Sequence, residues 1–275
     1  LFSQQKKQKE AQICLEKAQE LAPEDPMILN RLWLLFLNIQ ALPEAIAWFE
    51  KSLKALPDFV EAWSNLSVAL RQANEIDQAI FACEQALKIH PKDAATWTNL
   101  GVLFQELNAI DEALVAYRRA ISTDKRFYLA HLNEGIALLL KGELSVGWLK
   151  YEYRWFLPHT KPFRYPQKPF WRGVELLSGR ALLLQSDQGF GDTIQCLRYV
   201  PVLAAIGARV HLEVEAPLVG LARQVAGVTS VTSLGDPLPP FDFHCPFLSL
   251  PLSFNTTLTT IPSTIPYIKP SLSAI

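Results

Sequence analysis

Apolar and polar positions follow two different periods along the chain. Up to residue 157, apolar residues recur every three to four positions, which predicts amphipathic helices joined by short turns. From residue 180 onward, short apolar runs of strand length alternate with stretches of helical period. The fold class predicted is therefore α followed by α/β: an all-α amino-terminal array, then part of a doubly wound domain with a parallel sheet.

The helical part repeats with a period of 34 residues, which separates Trp63 from Trp97. Small residues share the slots where paired helices approach closely, while larger apolar residues share the slots between helical hairpins. The matched residues are Leu66 with Leu100, Ser67 with Gly101, Leu70 with Phe104, Ala79 with Ala113, Cys83 with Tyr117, Ala86 with Ala120, and Pro57 with Pro91. Downstream the pattern weakens, because Lys125 replaces the proline and Gly147 replaces an alanine.

This period and these residue types resemble the tetratricopeptide repeat, a helical hairpin that stacks into a solenoid. We predict that residues 1–157 form such a solenoid. Its parts are a half repeat at 1–25, full repeats at 26–59, 60–93 and 94–127, and a degenerate repeat at 128–157. A proline-rich basic linker at 158–179 leads to the α/β part at 180–275, because each proline keeps its predecessor out of a helix.

Asparagines occupy one slot of three successive repeats: Asn65, Asn99 and Asn133. We expect them to project from the first helices of these repeats into a concave groove. Since an amide both donates and accepts hydrogen bonds, a row of amides can hold a peptide backbone whatever its sequence. The row resembles the asparagine ladder of O-linked N-acetylglucosamine transferases. The alternative, that Asn is simply common at this repeat position, stays open, and Arg31 ends the row in the first full repeat.

In the α/β part, the alternating and continuous apolar runs predict four strands, at 180–185, 209–215, 230–234 and 241–247. A helix is predicted from Thr193 to Ile206, and another begins at Pro217. Right-handed crossovers place the strands in the order 3-2-1-4. The loop after strand 1 then faces the end of strand 4, where open α/β sheets bind their ligands.

Six residues are expected to share this crevice: Gln188, Gly189, Gly191, Asp192, Thr193 and His244. Asp192 is the candidate general base toward an acceptor hydroxyl, and His244 either orients the acceptor or is a hydrogen-bonded strand-end histidine. The two glycines would admit an acceptor sugar or peptide close to the backbone; the alternative is a tight turn capped by Asp192. A dinucleotide fingerprint is rejected, because Ile194 fills the third glycine slot and Asp192 would repel a pyrophosphate.

Charge and composition narrow the function classes. The formal net charge of −1 argues against a nucleic-acid-binding protein, and no apolar run is long enough for a transmembrane helix. The four cysteines form no CxxC pair and have no histidine at ligand spacing, so we expect no metal site, reduced packing thiols and a cytoplasmic protein. The start has neither Met nor an apolar signal segment, which suggests a piece of a longer protein.

The segment FWRGVELLSGRALLLQSDQGFGDTIQCLRYVPVL, residues 170–203, resembles bacterial fusions of tetratricopeptide repeats with a glycosyltransferase. It fills the motifs W-x-G, L-x-G-x-x-L-L-L, Q-G-x-G-D-T-I-Q and R-Y, and Asp187 stands where these proteins usually have Glu. The segments at 147–155, 235–251 and 261–267 extend the resemblance. It implies a two-Rossmann fold similar to the heptosyltransferases, in which a Gly-Asp after the first strand supplies the acidic catalytic residue, here Asp192.

The same resemblance implies a nucleotide-sugar donor, which usually binds the second Rossmann domain. Nothing in the sequence up to Ile275 supplies that domain. We therefore expect the chain alone to bind no cofactor and to be inactive, with a nucleotide-sugar donor for the full-length protein. Two functions stay open: a glycosyltransferase whose repeats present a protein or glycan acceptor, and a non-enzymatic scaffold that binds proteins or peptides in the repeat groove.

Overall fold

The computed structural model describes residues 13, 17, 42–158 and 164–268. Most of the half repeat predicted at 1–25 lies outside the described residues, as do the first helix of the repeat at 26–59 and Arg31. The chain divides into two compact units, Leu1–Ala137 and Leu138–Ile275. The domain bounds predicted at residues 157 and 179 stay predictions.

Consecutive helices make up the described part of the first unit. They are α1 (Leu42–Ala55), α2 (Val60–Gln72), α3 (Ile76–Ile89), α4 (Ala94–Glu106), α5 (Ile110–Thr123) and α6 (Tyr128–Lys141), whose last turn belongs to the second unit. The slots predicted to hold small residues are buried: Ala45, Ala79 and Ala113 are at most 1% exposed. Each helix therefore buries one face against its neighbours, as a stack of helical hairpins requires.

One hydrogen bond recurs at the start of the repeats at 60–93, 94–127 and 128–157. The indole Nε1 of Trp63 donates to the carbonyl of Pro57 at 2.8 Å, and Trp97 donates to Pro91 at 2.9 Å. In the degenerate repeat, Nε2 of His131 lies 3.0 Å from the carbonyl of Lys125. The Trp and Pro slots are thus paired in space. The tryptophan side chain on the first helix of a repeat binds the carbonyl of the proline in the turn that precedes this helix.

A second recurring contact joins the two helices of one repeat. A Cβ added at Gly101 of α4 would lie 2.6 Å from Cδ1 of the Tyr117 ring on α5, so only glycine fits against this tyrosine. One repeat earlier, Ser67 and Cys83 occupy the same slots and are both buried. The repeat with the larger residue on its second helix, Tyr117, therefore has the smaller residue on its first helix, Gly101. The packed volume of the two residues thus stays similar from repeat to repeat.

Left-handed turns end α2, α4 and α6, which are the first helices of the repeats at 60–93, 94–127 and 128–157. Asn74 and Asn108 have φ of 63° and 58°, and Gly142 has φ of 86° at the same slot after α6. The amide that follows each turn donates back into the helix: Glu75 to the carbonyl of Leu70 at 2.8 Å, Ala109 to Phe104 at 2.8 Å, and Glu143 to Leu138 at 2.9 Å. This is the Schellman arrangement, which satisfies carbonyls at a helix end.

The second unit contains a parallel sheet of four strands. They are β1 (Ala181–Gln185), β2 (Arg209–Val214), β3 (Val228–Ser233) and β4 (Phe243–Pro246). Their order is β3-β2-β1-β4, which confirms the predicted order. In the register, Leu183 of β1 pairs with His211 of β2 and with His244 of β4. The order therefore reverses beside β1, and the loops after β1 and β4 are neighbours.

Short helices cover one face of this sheet and follow its strands. They are α7 (Leu144–Tyr151) before the sheet, α8 (Phe190–Cys196) and α9 (Val200–Ala205) after β1, α10 (Val219–Ala222) after β2, and α11 (Leu250–Ser253) after β4, with 3-10 turns at Glu152–Phe156, Leu197–Tyr199, Ala216–Leu218 and Phe247–Ser249. The fully buried Leu182, Leu184, Leu197 and Leu203 belong to the core on this face. No helix among the described residues combines the length and the apolar character that a bilayer-spanning helix needs.

The helix predicted from Thr193 to Ile206 is interrupted. It begins three residues earlier, at Phe190, and a 3-10 turn separates α8 from α9. Pro201 explains the interruption, because proline lacks the N–H for an α-helical bond and its ring crowds the carbonyl four residues before it. The helix predicted at Pro217 is likewise a 3-10 turn, Ala216–Leu218, followed by the single turn of α10.

Candidate functional site

The asparagine row, Asn65, Asn99 and Asn133, is spread over three first helices: α2, α4 and α6. All three side chains are half-buried, so each keeps contact with solvent. The amide Nδ2 of Asn99 donates to the hydroxyl of Ser64 on α2 at 3.4 Å. The amide of Asn99 on α4 therefore lies at the junction with the preceding first helix, α2.

Charges along the first helices are partly paired with each other. Arg71, in the last turn of α2, forms an ion pair with Glu106, at the end of α4, with 2.7 Å between Nη1 and Oε1. The two side chains are 36% and 41% exposed, so water screens this pair and its contribution to stability is small. Its consequence is local charge balance along these two helices.

A largely apolar groove of about 650 Å³ lies between the second helices α1 and α3 and the first helix α2. Trp63 and Phe81 meet edge to face at its wall, with ring centroids 6.1 Å apart, and Phe81 is 54% exposed. No residue of the asparagine row lies among those found to line it, and it is therefore a separate surface.

In the second unit, the loop after β1 carries the predicted Gly-Asp pair. Asp192 is half-buried, and its Oδ2 accepts a hydrogen bond from the amide of Gly189 at 3.2 Å. Gly189 is the residue before α8, so Asp192 caps the amino terminus of that helix from its third position. The hydroxyl of Thr193 lies 3.0 Å from that of Ser186 at the end of β1. These contacts fix the loop by its own side chains.

The exposed side of this loop contains Gln188, Gly189 and Gly191. Neither glycine has a positive φ. A Cβ added at Gly191 would meet no heavy atom within 4 Å, and one at Gly189 would meet Asp192 Oδ2 at 3.5 Å. Backbone conformation and local packing therefore do not require glycine at either position.

Arg154 joins the loop after β1 to the turn after β4. It is 3% exposed, and its Nη2 lies 2.9 Å from the hydroxyl of Ser249 and 3.3 Å from Oδ2 of Asp187. Glu152 pairs with the same guanidinium and accepts a hydrogen bond from Ser249 at 2.9 Å. The guanidinium also stacks on the ring of Trp155, at 4.4 Å from the centroid. The predicted proximity of the two loops is thus present, with Arg154 between them.

Asp187, from the loop after β1, is one of the two carboxylic acids around Arg154. Burial raises its pKa above the ordinary value of an aspartic acid, although Arg154 acts in the opposite direction. The sequence marks Asp187 as a departure from the family motif and as an ionisable group of the loop after β1, but it does not indicate Arg154. The signal for Arg154 is the segment GWLKYEYRW, residues 147–155, whose resemblance assigns no role to its arginine.

His244 lies on the other face of the sheet. Successive residues of a strand point to opposite faces, and its neighbour Cys245 belongs to the core beneath α8. The His244 ring packs against Tyr165 and Phe170, with centroids 5.9 Å and 5.6 Å away, and its pKa is lowered by burial. The crevice expected to contain it together with Asp192 is therefore not the arrangement found, because strand alternation separates the two side chains.

That second face is polar and is covered by the segment before the sheet. Glu213 of β2 is buried, accepts a hydrogen bond from the hydroxyl of Tyr165 at 2.8 Å, and pairs with Arg164 at 3.1 Å. Burial and the bond to Glu213 raise the pKa of Tyr165 to about 12. Arg164 also donates to the carbonyl of Ser186. Part of the predicted linker is thus an ordered cover over this face of the sheet, and Glu213 holds it through Tyr165 and Arg164.

Across the described ranges, no group of three or more His, Cys, Asp or Glu side chains is placed to hold a metal ion. The described cysteines, Cys83, Cys196 and Cys245, are buried free thiols. Burial raises the pKa of Cys83 to about 11 and that of Cys196 to about 12, which keeps both thiols protonated at neutral pH. These cysteines therefore pack as small apolar residues.

Comparisons with known proteins agree with the helical part of this description. A family model described as a tetratricopeptide repeat matches residues 40–100, and a second model of the same description matches residues 1–25 and 94–127. No curated protein sequence matches the chain.

Similar solved structures cover about half of this chain. A crystal structure of MamA is 22% identical, covers 55% of this chain and 88% of its own, and has a TM-score of 0.47. The protein TTC0263 of Thermus thermophilus, described as a thermophilic TPR protein, is 19% identical and covers 55% of this chain and 83% of its own, with a TM-score of 0.46. Because the two family models together match this range, residues 40–127 of the chain are made of tetratricopeptide repeats.

Proposed function

We propose that the repeats bind an extended segment of a partner protein, and that the chain serves as a protein-interaction scaffold. The observation that carries this proposal is the asparagine row: one half-buried amide on each of three successive first helices, with Asn99 bonded across to Ser64. Each amide offers a donor and an acceptor, which are the groups that a peptide backbone needs. The partner is then held mainly by its backbone.

A panel of fluorescein-labelled random-sequence peptides, titrated against the chain by fluorescence anisotropy, tests this proposal. The triple variant Asn65→Ala, Asn99→Ala and Asn133→Ala is expected to lose about a hundredfold in affinity, since three hydrogen bonds contribute about 1 kcal/mol each. The matched control replaces three exposed residues of the second helices, Glu84→Ala, Lys88→Ala and Arg119→Ala, and is expected to bind as the parent does. Equal binding by the parent and the asparagine variant would contradict the proposal.

In second place, we propose that the α/β part is the acceptor-side half of a glycosyltransferase, which acts only with a donor-binding second half. Two observations favour it: the strand order β3-β2-β1-β4, and the exposed Gly189 and Gly191 that local packing does not require. In this proposal the open backbone admits an acceptor hydroxyl near Asp192, which acts as general base. The donor is a nucleotide-sugar, bound by the second half, and the acceptor is a protein or a glycan.

The bond from Gly189 to Asp192 gives the carboxylate a structural role as well, so catalysis and capping must be separated by experiment. The sharpest comparison uses a longer protein that contains both halves, with turnover and thermal unfolding measured on the same Asp192→Asn variant. His244 has no catalytic part in this proposal, because its ring faces the other side of the sheet.

A further inference from the structure

We propose that the asparagine row binds its partner as a polyproline II helix with an apolar side chain at every third position and a basic residue at the end over α2. The inference rests on the proposed peptide binding and adds the conformation and sequence pattern of the partner. Three observations carry it: an apolar residue beside each asparagine, the spacing of neighbouring first helices, and the charges on these helix faces.

The first observation is a second row beside the asparagines. Val68, Val102 and Ile136 each follow an asparagine of the row by three residues, which places them on the same face of α2, α4 and α6. All three are only partly buried. Each first helix therefore presents one amide and one β-branched apolar side chain side by side.

The second observation is how closely the first helices approach each other. The bond from Asn99 to Ser64 joins α4 to α2, and Ala130 of α6 belongs to the same buried cluster as Ala94 of α4. Packed helices have axes about 8–10 Å apart. A partner that uses every repeat must then present equivalent groups about once per 8–10 Å along its length.

The conformation of the partner follows from this spacing. In a β-strand, equivalent side chains recur every two residues, or about 6.6 Å, and residues three apart point to opposite sides. In a polyproline II helix, three residues make one turn of about 9.3 Å, so every third side chain points the same way. Its backbone forms no internal hydrogen bonds, which leaves amides and carbonyls free for the asparagines.

The third observation concerns charge. Glu106 follows Asn99 by seven residues and shares its helix face, but its charge is balanced by Arg71 at 2.7 Å. On α2, Glu61 precedes Asn65 by four residues and is exposed. On α6, Leu129 holds the position that Glu61 holds on α2 and is 43% exposed. The surface thus favours an uncharged partner over α4 and α6 and a basic residue over α2.

Fluorescence anisotropy with defined peptides tests the inference on the whole chain. The main probe has four Val-Pro-Pro triplets with lysine at both ends, which allows either orientation. The comparison peptides have the same composition with the valines grouped together, or the same valine spacing with serine in place of proline. The triplet peptide is expected to bind at least about tenfold more tightly than either one. A triplet peptide that ends in glutamate instead of lysine should bind more weakly, and more so at low salt.

Threonine variants identify the surface. Val102→Thr together with Ile136→Thr keeps the branching at Cβ, replaces apolar groups by hydroxyls and removes the terminal methyl of Ile136, and it is expected to weaken the triplet peptide about tenfold. The matched control is Val115→Thr on α5, where the valine is 58% exposed and lies away from the row. Circular dichroism confirms that each variant folds, and threonine was chosen because it preserves the branched shape.

The outcomes separate the inference from the proposed function. If random-sequence peptides depend on the asparagines but show no preference for the triplet spacing, the inference is overturned and peptide binding stands. Equal weakening by Val115→Thr, or tighter binding by an amphipathic helical peptide, overturns it as well. If no peptide of either kind binds, both proposals fail.

Discussion

At the scale of single residues, the repeats keep an interaction where the residue types change. His131 stands in the tryptophan slot and Lys125 in the proline slot, yet the ring nitrogen still lies 3.0 Å from the carbonyl six residues before it. Any residue supplies a backbone carbonyl, so the loss of proline does not remove the acceptor. The pattern at 128–157 is therefore degenerate in sequence but retains this contact.

Gly101 provides a residue-scale test of packing. Gly101→Ser is expected to lower the free energy of unfolding by about 1–3 kcal/mol, because the added atoms would meet the Tyr117 ring in a packed core. Adding Tyr117→Cys recreates the pair found at Ser67 and Cys83 and should restore part of the loss. Urea unfolding followed by circular dichroism measures both effects.

The control for that experiment is Ser67→Gly, which removes atoms without a clash. It is expected to cost about 0.5–1 kcal/mol, mainly through the entropy of glycine in a helix. If Gly101→Ser were as stable as the parent chain, the close approach of α4 to Tyr117 would be contradicted.

Asp187 gives a prediction about pH. Burial raises its pKa in the folded chain, so the folded state keeps the proton to a higher pH than the unfolded state does. The free energy of unfolding therefore falls as pH rises from about 3.9 through the raised pKa. Asp187→Asn does not titrate, and its stability relative to the parent chain should increase with pH across this window. Urea unfolding at several pH values measures the difference.

Gln188, a non-ionisable and exposed residue of the same loop, is the control for this pH experiment. The variant Gln188→Ala should show the same pH dependence of unfolding as the parent chain. A constant difference between Asp187→Asn and the parent from acid to neutral pH would be inconsistent with a raised pKa at Asp187.

The proposed catalytic role of Asp192 can be distinguished from its helix-capping role by measuring turnover and stability on the same variant. In a longer protein that contains both proposed halves of a glycosyltransferase, Asp192→Asn is expected to reduce turnover by about 10²–10⁴-fold, the usual scale for a positioned acid or base. The stability cost should stay below about 1–2 kcal/mol, because asparagine also caps helices. Turnover that survives within a few-fold, together with a sharp drop in melting temperature, would identify Asp192 as a helix cap alone.

At the scale of elements, the order of the strands was predictable and the ends of the helices were not. Apolar runs located β1 to β4, and the right-handed crossover rule then gave their order. The start of α8 depends on Asp192 reaching back to Gly189, and its end depends on Pro201. Both effects depend on single residues. The periodicity of apolar positions is read over a window of many residues and therefore does not locate helix ends of this kind.

The two faces of the sheet explain the failure at His244. A short strand such as β4, Phe243–Pro246, gives too few residues to show which face is buried against helices and which against the preceding segment. The contacts of Arg154 and Glu213 were not predicted, for a related reason. Their partners lie far away in sequence, at Ser249 and Tyr165, and periodicity carries no information about such contacts.

The turns that end the first helices can be tested at Asn108. Asn108→Ala should lower the free energy of unfolding by about 1–2 kcal/mol, because alanine tolerates a φ of 58° less well than asparagine. Asn108→Gly should be as stable as the parent or slightly more so, since glycine adopts this conformation freely. Thermal unfolding of the two variants side by side measures the contrast. Equal losses in both would show that the asparagine side chain, and not the turn, provides the stability.

At the scale of the whole molecule, the sequence predicted an α part followed by an α/β part, and the structure contains helical repeats and a small parallel sheet. A repeat of fixed length can be recognised in the sequence because each unit contacts mainly its neighbours. The same residue types therefore recur at the same positions of every repeat. The α/β part has no such redundancy. The function proposed for it depends on the loop after β1, whose contacts with residues distant in sequence cannot be predicted from the sequence alone.

The proposed assignment of donor binding to a second half can be tested on the chain as it is. Isothermal titration calorimetry with uridine, guanosine and adenosine diphosphosugars is expected to give no saturable heat. The proposed acceptor side offers the carboxylates Glu152 and Asp187 around Arg154, and this arrangement is unfavourable for a diphosphate. Micromolar binding of any of these compounds would contradict the assignment of donor binding to a second half.

The matched pair at Gly101 and Tyr117 also bears on how such an array grows and diverges. Both residues lie in one helical hairpin, as do Ser67 and Cys83 in the hairpin before it. Gene duplication or recombination that copies a whole hairpin carries a compatible pair with it. A crossover between the two helices would instead set Ser67 against a tyrosine or Gly101 against a cysteine, which leaves a clash in one product and a void in the other. The hairpin, and not the single helix, is therefore the smallest segment that this array can exchange without repair elsewhere.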